Sequence, residues 1–393
     1  MTAAAGRAAT ANDTQWPLVW FGLAALIVGG LALGTLEWRH GVLFLIGALL
    51  GMSLYHAAFG FTSAYRNAIV HRDVAGVTAQ LLMLGLAMAL FAPTLAGGEA
   101  LGQNVGGAVA PVGLRVVVGS FLFGLGMQLG GGCGSGTLYT AGGGSTRMVL
   151  TLLAFCAGAF LGSLDGARWA GTPSLGSISL AQEFGWTAAL LLQFGALCAL
   201  WLGLRWWAGT TPQRPLWRTG LHGRELLTGP WPLLLSAALL AVLNWLTLIL
   251  AGHPWTITWA FTLWGAKAAA AIGWDPASSA FWTSGFAGRA LERGLFQDVT
   301  SIMDVGIMLG ALLAAALAGR FAPTLKIPLR SALAAVLGGL LMGYGARAAF
   351  GCNIGAFFSG VASFSLHGWV WIFCALAGTW IGVRLRPWFG LEN

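Results

Sequence analysis

Gly130-Gly-Gly-Cys-Gly-Ser-Gly136 and Phe350-Gly-Cys-Asn-Ile-Gly355 are two glycine-rich stretches, each built round one cysteine. The first lies in the uncharged window between Arg115 and Arg147, the second in the uncharged window Ala348–Val383. Glycine costs about 1 kcal/mol relative to alanine in a helix interior, so neither stretch favours a continuous helix. A membrane-crossing helix needs about 20 apolar residues. The first window is too long for one such helix and too short for two. A broken helix fits it, with irregular backbone deep in the bilayer. Such backbone is tolerated only where it lines a cavity or is buried in protein.

The two stretches are in register. Placing Cys133 on Cys352 also superposes Gly119 on Gly338, Gly124 on Gly343, Gly126 on Gly345, Gly132 on Gly351 and Gly136 on Gly355. Upstream, Phe61-Thr-Ser-Ala-Tyr65 resembles Trp282-Thr-Ser-Gly-Phe286, and Asp73-Val74 resembles Asp304-Val305. An internal repeat is therefore expected.

Composition sets the class. Of 393 residues, 57% are apolar and only 8% charged, where soluble domains carry about 25% charged residues. The 60 glycines suit close helix packing, and the 20 tryptophans suit interfacial belts. These figures exclude a soluble enzyme, a disordered chain and a disulfide scaffold. The net charge of +8 reads as basic cytoplasmic loops, because no basic run interleaved with aromatics suggests nucleic acid. The five cysteines form no CxxC or CxxH pattern, so neither a metal nor another cofactor is expected.

Trp16–Leu36 reads as a first membrane span, being longer than the apolar core of a signal peptide. Gly41–Tyr65, Val74–Pro93, the Arg115–Arg147 window, Met148–Leu164 and Phe184–Leu204 follow. Leu226–Ala266 is broken by His253-Pro254 into two spans. Pro276–Gly288 is a short apolar piece, and Val305–Gly319, Ser331–Ala346 and Ala348–Val383 complete the series. About 12 segments are expected, spans 1–5 repeating as 8–12 and spans 6 and 7 joining them. The divisions are a tail at 1–15, a first membrane half at 16–204 (repeat about 18–164), a cytoplasmic linker at 205–229, a second half at 230–386 (repeat about 254–384) and a tail at 387–393.

Charge orients the halves oppositely. Arg66, His71 and Arg72 follow the second span and belong inside. The matching loop from Arg289 to Asp304 carries more acid than base and belongs outside. Arg320, Lys326 and Arg330 belong inside, whereas the loop before Arg115 is poor in base. The fold expected is thus an all-α polytopic membrane protein, an inverted-topology repeat with broken or re-entrant helices meeting near the bilayer midplane. Both termini are placed in the cytoplasm.

At such a meeting point, half-helix N-termini and backbone N–H groups favour an anion. A neutral thiol is soft and polarizable, and suits a sulfur-containing anion better than phosphate. Cys133 and Cys352 are therefore the central candidates, with Gly132, Gly134, Gly136, Gly351 and Gly355 shaping their turns. Asn353 adds an amide. Gln128 and Arg347 hold equivalent positions five residues before each cysteine, and an intramembrane charge points to function. Cys156, Cys198 and Cys374 read as packing residues, His56 and His367 as helix-end or packing histidines, and Lys267 as a span anchor. Asp73, Asp165 and Asp304 sit near predicted span ends, so no proton relay is evident.

The motif Gly130–Gly136, the run Gly345-Ala-Arg-Ala-Ala-Phe-Gly-Cys-Asn-Ile-Gly-Ala-Phe-Phe-Ser-Gly360 and Phe364-Ser-Leu-His-Gly-Trp369 resemble those of the YeeE/YedE family. The resemblance runs from about residue 40 to the C-terminus. It implies an hourglass-like inverted repeat in a bacterial inner membrane. It also implies that Cys133 and Cys352 pass thiosulfate inward through transient S–H contacts, and that a TusA-like cytosolic sulfur carrier is a partner. Thiosulfate-type members have a further cysteine in the motif corresponding to Phe59-Gly60-Phe61-Thr62. Here that place is Gly60, which leaves another sulfur or selenium species open as cargo.

Three function classes follow. The first is a transporter or channel-like facilitator of a small sulfur-containing anion. The second is a membrane sulfurtransferase-type enzyme with a persulfide on Cys133 or Cys352, unsupported by any Cys–His–Asp pattern. The third is a structural membrane subunit. The transporter is the expectation carried forward.

Overall fold

A computed structural model describes residues 13–217 and 223–393. Residues 1–12 of the expected tail, and 218–222 of the expected linker with Arg218, lie outside the described residues. The described residues are mainly helical, with two small two-stranded antiparallel pairings. The first half contains α1 (Trp16–Leu36), α2 (Trp38–His56), α3 (Phe61–His71), α4 (Ala75–Gly97), α5 (Leu114–Gly130), α6 (Gly134–Gly142) and α7 (Thr146–Leu164). The short α8 (Gly166–Trp169) and α9 (Leu180–Phe184) lead to α10 (Trp186–Ala208). After the short α11 (Gly223–Thr228) come α12 (Leu233–Ala251), α13 (Thr258–Ala271), α14 (Gly285–Glu292), α15 (Val299–Leu317) and α16 (Leu329–Ala348). A π turn, Asn353–Phe358, runs into α17 (Ser359–Ala362), and α18 (Leu366–Leu385) closes the chain.

Ten helical stretches among the described residues are long and apolar enough to cross a membrane. Three of them, Trp38–His71, Leu114–Gly142 and Leu329–Ala362, contain an internal break. The protein is an all-α polytopic membrane protein. The sequence expectation of about 12 segments counted two short pieces. Pro276–Gly288 is a single 3-10 turn followed by the start of α14, and α13 is only 14 residues long.

Packing is dominated by glycines that let backbones touch. Helices α5 and α16 run antiparallel, in contact at two places. A side-chain carbon added at Gly119 would lie 2.8 Å from the Gly345 carbonyl oxygen, and one at Gly126 would lie 2.8 Å from that of Gly338. Gly119 and Gly126 are the repeat equivalents of Gly338 and Gly345, so this interface maps onto itself.

The flanking interfaces exchange in the same way. Gly124 abuts the Ala375 carbonyl on α18, and its equivalent Gly343 abuts the Phe155 carbonyl on α7. Gly378 abuts Phe121, and Gly158 abuts Leu340. Further out, α2 packs on α15 while α12 packs on α4. The Phe61–Tyr65 and Trp282–Phe286 stretches each lead a short helix, α3 before α4 and α14 before α15, and Phe61 and Trp282 are both buried. They differ at the end, where Tyr65 is buried and Phe286 exposed.

Two features place both described ends on one face. Gln15, just before α1, exchanges hydrogen bonds with Phe321 in the α15–α16 loop: Nε2 donates to the Phe321 carbonyl at 2.9 Å, and Oε1 accepts from its N–H at 3.2 Å. On the same side, Arg147 at the start of α7 reaches Ser331 at the start of α16, and Arg386 after α18 reaches the end of α5.

A carbon added at Gly124 or Gly343 would overlap a backbone carbonyl, which cannot retreat as a side chain can. Gly124→Ala and Gly343→Ala are expected to cost about 1–3 kcal/mol or more through overpacking. Thermal unfolding in detergent should show a clear drop for both. Gly203→Ala, where the added carbon meets nothing within 4 Å, should leave the midpoint unchanged.

Candidate functional site

Four helices begin inside the protein, away from its two faces. Their first residues follow Gly60 (α3), Cys133 (α6), Ile257 (α13) and Cys352 (the π turn into α17). Each helix N-terminus leaves N–H groups without intrahelical partners. None of these four is capped by a hydrogen bond from the side chain of the preceding residue. Buried N-termini of this kind leave donor capacity and positive potential for an anion.

The two cysteine turns have the same construction. After α5, Gly131 takes φ +93°, and Cys133 is extended at φ −81°, ψ −166°. After α16, Phe350 and Gly351 take φ +59° and +146°, and Cys352 is extended at φ −105°, ψ −167°. Only glycine adopts the Gly131 and Gly351 conformations without strain. Each sulfur turns towards the N–H groups two and three residues on: Ser135 and Gly136 for Cys133, Ile354 and Gly355 for Cys352. The Cys133 sulfur also lies 3.4 Å from the Ser135 hydroxyl.

The carbonyls stranded at each break find donors, as hydrocarbon surroundings demand. At the end of α5, Arg147 donates to Gly130 at 2.6 Å and to Leu129 at 2.7 Å, and Arg386 donates to Gln128 at 2.7 Å. At the end of α16, Arg115 donates to the Arg347 carbonyl at 3.2 Å and Trp371 to Gly351 at 3.2 Å. His367 Nε2 lies 2.9 Å from the Ala349 carbonyl. His367 therefore sits at a break, holding the turn in place. His56 stacks on Trp231 at one end of α2.

The turns meet. A carbon added at Gly134 would lie 3.0 Å from the Cys352 sulfur and 3.4 Å from an Ile257 methyl. One at Gly136 would lie 3.5 Å from the Cys133 sulfur, and one at Gly355 3.0 Å from the Thr256 hydroxyl. Gly132 is closed in by Gly136 and Met148, and Gly351 by Ala356. Both sulfurs are buried, at 1% and 0% exposure. Three half-helix N-termini and two thiols thus share one small region.

Polar groups without partners surround it. Asn353 is 0% exposed, and neither its oxygen nor its nitrogen makes a hydrogen bond. Tyr65 of α3 brings its hydroxyl beside the Asn353 amide without completing a bond. Gln128 donates to the Thr62 carbonyl at 3.1 Å, leaving its own oxygen and the Thr62 hydroxyl unpartnered. Gly60 lies beside the hydroxyls of Ser63 and Tyr139: a carbon added there would meet them at 2.7 and 3.3 Å.

Arg347 is placed differently. Its guanidinium lies 4.3 Å above the Phe281 ring, and its stem packs on Gly162. Gln128 packs on Gly382 in the equivalent way. The pair is equivalent by position, but Arg347 is held by Phe281 and Gly162 rather than by either cysteine turn. Cys156, Cys198 and Cys374 lie in the continuous helices α7, α10 and α18. Lys267 donates to the carbonyls of Leu291 and Arg293 at 2.7 and 2.6 Å, closing the end of α14.

The sequence reading missed Thr62, Tyr65, Tyr139 and the Thr256-Ile257 turn. The signal for the turn was present in His253-Pro254, which read only as a gap between spans. Thr62 and Tyr65 lay in the Phe61–Tyr65 stretch, which read only as a repeat match, and Tyr139 had no distinguishing spacing.

Opposed broken helices buried inside a bundle of membrane-length apolar helices have the architecture of a membrane transport protein. Residues 56–381 match the family model described as sulphur transport. The chain belongs to that sulphur-transport (YeeE/YedE) family, and is a transport protein rather than an enzyme. It is similar to the thiosulfate transporter TsuA of Spirochaeta thermophila, 30% identical over 346 residues, covering 86% of this chain and 96% of that one. It is also similar to the thiosulfate transporter TsuA of Escherichia coli, 26% identical over 375 residues, covering 87% and 94%. The probable transporter YedE of Escherichia coli matches 137 residues at 33% identity, covering 34% of this chain and 32% of that protein.

Contact at the turns leaves no room for a larger residue after Cys133. Gly134→Val is expected to push Cys352 and Ile257 aside, at a cost of about 1–3 kcal/mol. Anion uptake by the purified, reconstituted variant should fall by about tenfold or more, with the protein still monodisperse on size exclusion.

Proposed function

We propose that this protein takes up thiosulfate, or a closely related sulfur-containing anion, through a pathway past Cys133 and Cys352. The observation that carries this reading is the burial of both thiols at the mouths of half-helices that meet at mid-depth. Thiosulfate has one soft terminal sulfur and three harder oxygens. Thiols suit the sulfur, while helix N-termini, Asn353 and the Tyr65 hydroxyl suit the oxygens. The named thiosulfate transporters among the relatives support the same cargo. Gly60 puts the Ser63 and Tyr139 hydroxyls where the resemblance leads one to expect a third thiol. A harder station at that point favours contact with oxygen rather than sulfur.

Orientation follows from charge. The face bearing both described ends also carries Arg320, Lys326, Arg330 and Arg384, so we place it in the cytoplasm of a bacterium, with the protein in the inner membrane. A TusA-like sulfur carrier on that side would consume the arriving sulfur and keep the concentration gradient inward.

Cys133→Ala and Cys352→Ala should each reduce radiolabelled thiosulfate uptake into proteoliposomes by about tenfold or more, equivalent to about 1.4 kcal/mol of lost pathway stabilisation. Cys→Ser at either position keeps the size and loses the softness, and should fall between. Sulfate, sulfite and selenite as competitors rank the cargo. Full uptake by both alanine variants would overturn the proposal.

A further inference from the structure

The chain contains the dipeptide Asp-Val three times, at Asp73-Val74, Asp298-Val299 and Asp304-Val305. Asp73 and Asp298 stand just before α4 and α15, and the fold treats Asp304 in the opposite way. Asp73 lies just before α4. Its oxygens accept from the Ala75 N–H at 3.1 Å and from Arg214 Nε at 2.5 Å. Asp304 lies inside α15, because five further helical residues, Val299–Met303, precede it. It is 0% exposed, and both of its oxygens are without a hydrogen-bond partner. Among the described residues, the ion pairs are His40–Glu37, Arg168–Asp165 and Arg214–Asp73, so no cation pairs with Asp304.

The groups around it do not neutralise it. Cys156 on α7, Cys352 and Asp298 lie within its electrostatic reach, and none is a cation. Asp298 is engaged by Trp259 Nε1, the Ser301 N–H and the Ser301 hydroxyl. Of the elements packed on α15, α1 has no titratable residue. Helix α2 has Arg39 and His40 at one end, bonded to the Leu101–Gln103 turn and to Glu37, and Tyr55 and His56 at the other. Helix α6 has Tyr139. Helix α13 has Lys267, committed to the α14 carbonyls, and α11 has Arg224 and Glu225.

A carboxylate stripped of water and partners is costly in hydrocarbon, and binding a proton removes that cost. The location matters as well. One turn along α15, the Met308 backbone touches Gly142, the last residue of α6, the helix that starts at Cys133, and the Cys352 thiol lies within electrostatic reach of Asp304. Resting on the transport reading above, we propose that Asp304 binds the proton that accompanies the anion inward. The carboxylate takes a proton from the outer side and gives it up to the inner side in each cycle. A dianion alone moves two negative charges against an interior-negative potential, and one proton travelling with it halves the electrical work.

The test uses the full chain in proteoliposomes with radiolabelled thiosulfate, the membrane potential clamped at zero. With the outside one pH unit more acidic, wild-type accumulation should rise by about tenfold for one coupled proton. A pH dye should report alkalinisation of the outer medium when thiosulfate is added. Asp304→Asn and Asp304→Ser should lose both responses while thiosulfate counterflow stays measurable, which establishes that they fold. Asp304→Glu should retain the gradient response. Wild-type accumulation indifferent to the pH gradient, or a tenfold response surviving in Asp304→Asn or Asp304→Ser, overturns the proton assignment. Absence of counterflow in the wild type overturns the thiosulfate reading instead.

Discussion

The structure depends on one constraint: backbone polar groups in hydrocarbon must be satisfied within the protein. An unbroken helix satisfies them by itself and offers nothing to a passing ion. Breaking the helix at Gly131–Cys133 and at Ala349–Cys352 frees carbonyls and N–H groups together. The carbonyls are taken up by Arg147, Arg386, Arg115 and Trp371, with His367 beside Ala349. Helix α6 and the π turn into α17 start without a side-chain cap, and they start at the cysteines. The asymmetry matters for function. Cationic and aromatic residues neutralise the ends that would repel an anion, and the ends that attract one stay available.

Glycine packing makes this possible. Helices α5, α7, α16 and α18 approach so closely that backbone meets backbone at Gly119, Gly124, Gly158, Gly343 and Gly378. Such contact holds the two breaks at fixed depth without side chains filling the space between them. It also carries the internal symmetry, because these contacts in one half have their counterparts in the other. The symmetry is then broken where the cargo or its coupling is concerned. Gln128 takes the repeat position of Arg347, Asp304 has no acidic counterpart within α4, and Gly60 stands where a thiol was expected. Similar scaffolding thus carries different polar contents in the two halves.

Energetics tie the contents together. An anion entering a negatively charged interior needs a compensating charge or a steep gradient. In the pathway proposed above, the buried unpartnered polar atoms of Asn353, Tyr65, Thr62 and Gln128 would replace part of its hydration. None of them is ionisable at neutral pH, so none can itself carry a compensating charge.

Much was legible in the order of residues alone. Scarce charge and abundant glycine required a polytopic membrane protein, because no other solvent suits 57% apolar residues. The common register of five glycines and one cysteine gave the repeat and its two breaks, since glycine density is a local property of the backbone. Other features were decided in three dimensions. Asp304 reads as a residue at a span end, yet helix α15 starts earlier than its charge pattern suggests, at the Asp298 cap, and neighbouring helices bury the carboxyl. Arg347 reads as a pathway charge, yet stacks on Phe281, which lies 66 positions earlier in the chain. Tyr65 and Thr62 approach the cysteine turns only through long-range packing, whereas Tyr139 lies on α6, the helix that starts at Cys133. Periodicity and composition determine which segments enter the bilayer and where they break. Which side chains then share the space at the break depends on how helices distant in sequence cross, and no local pattern encodes that.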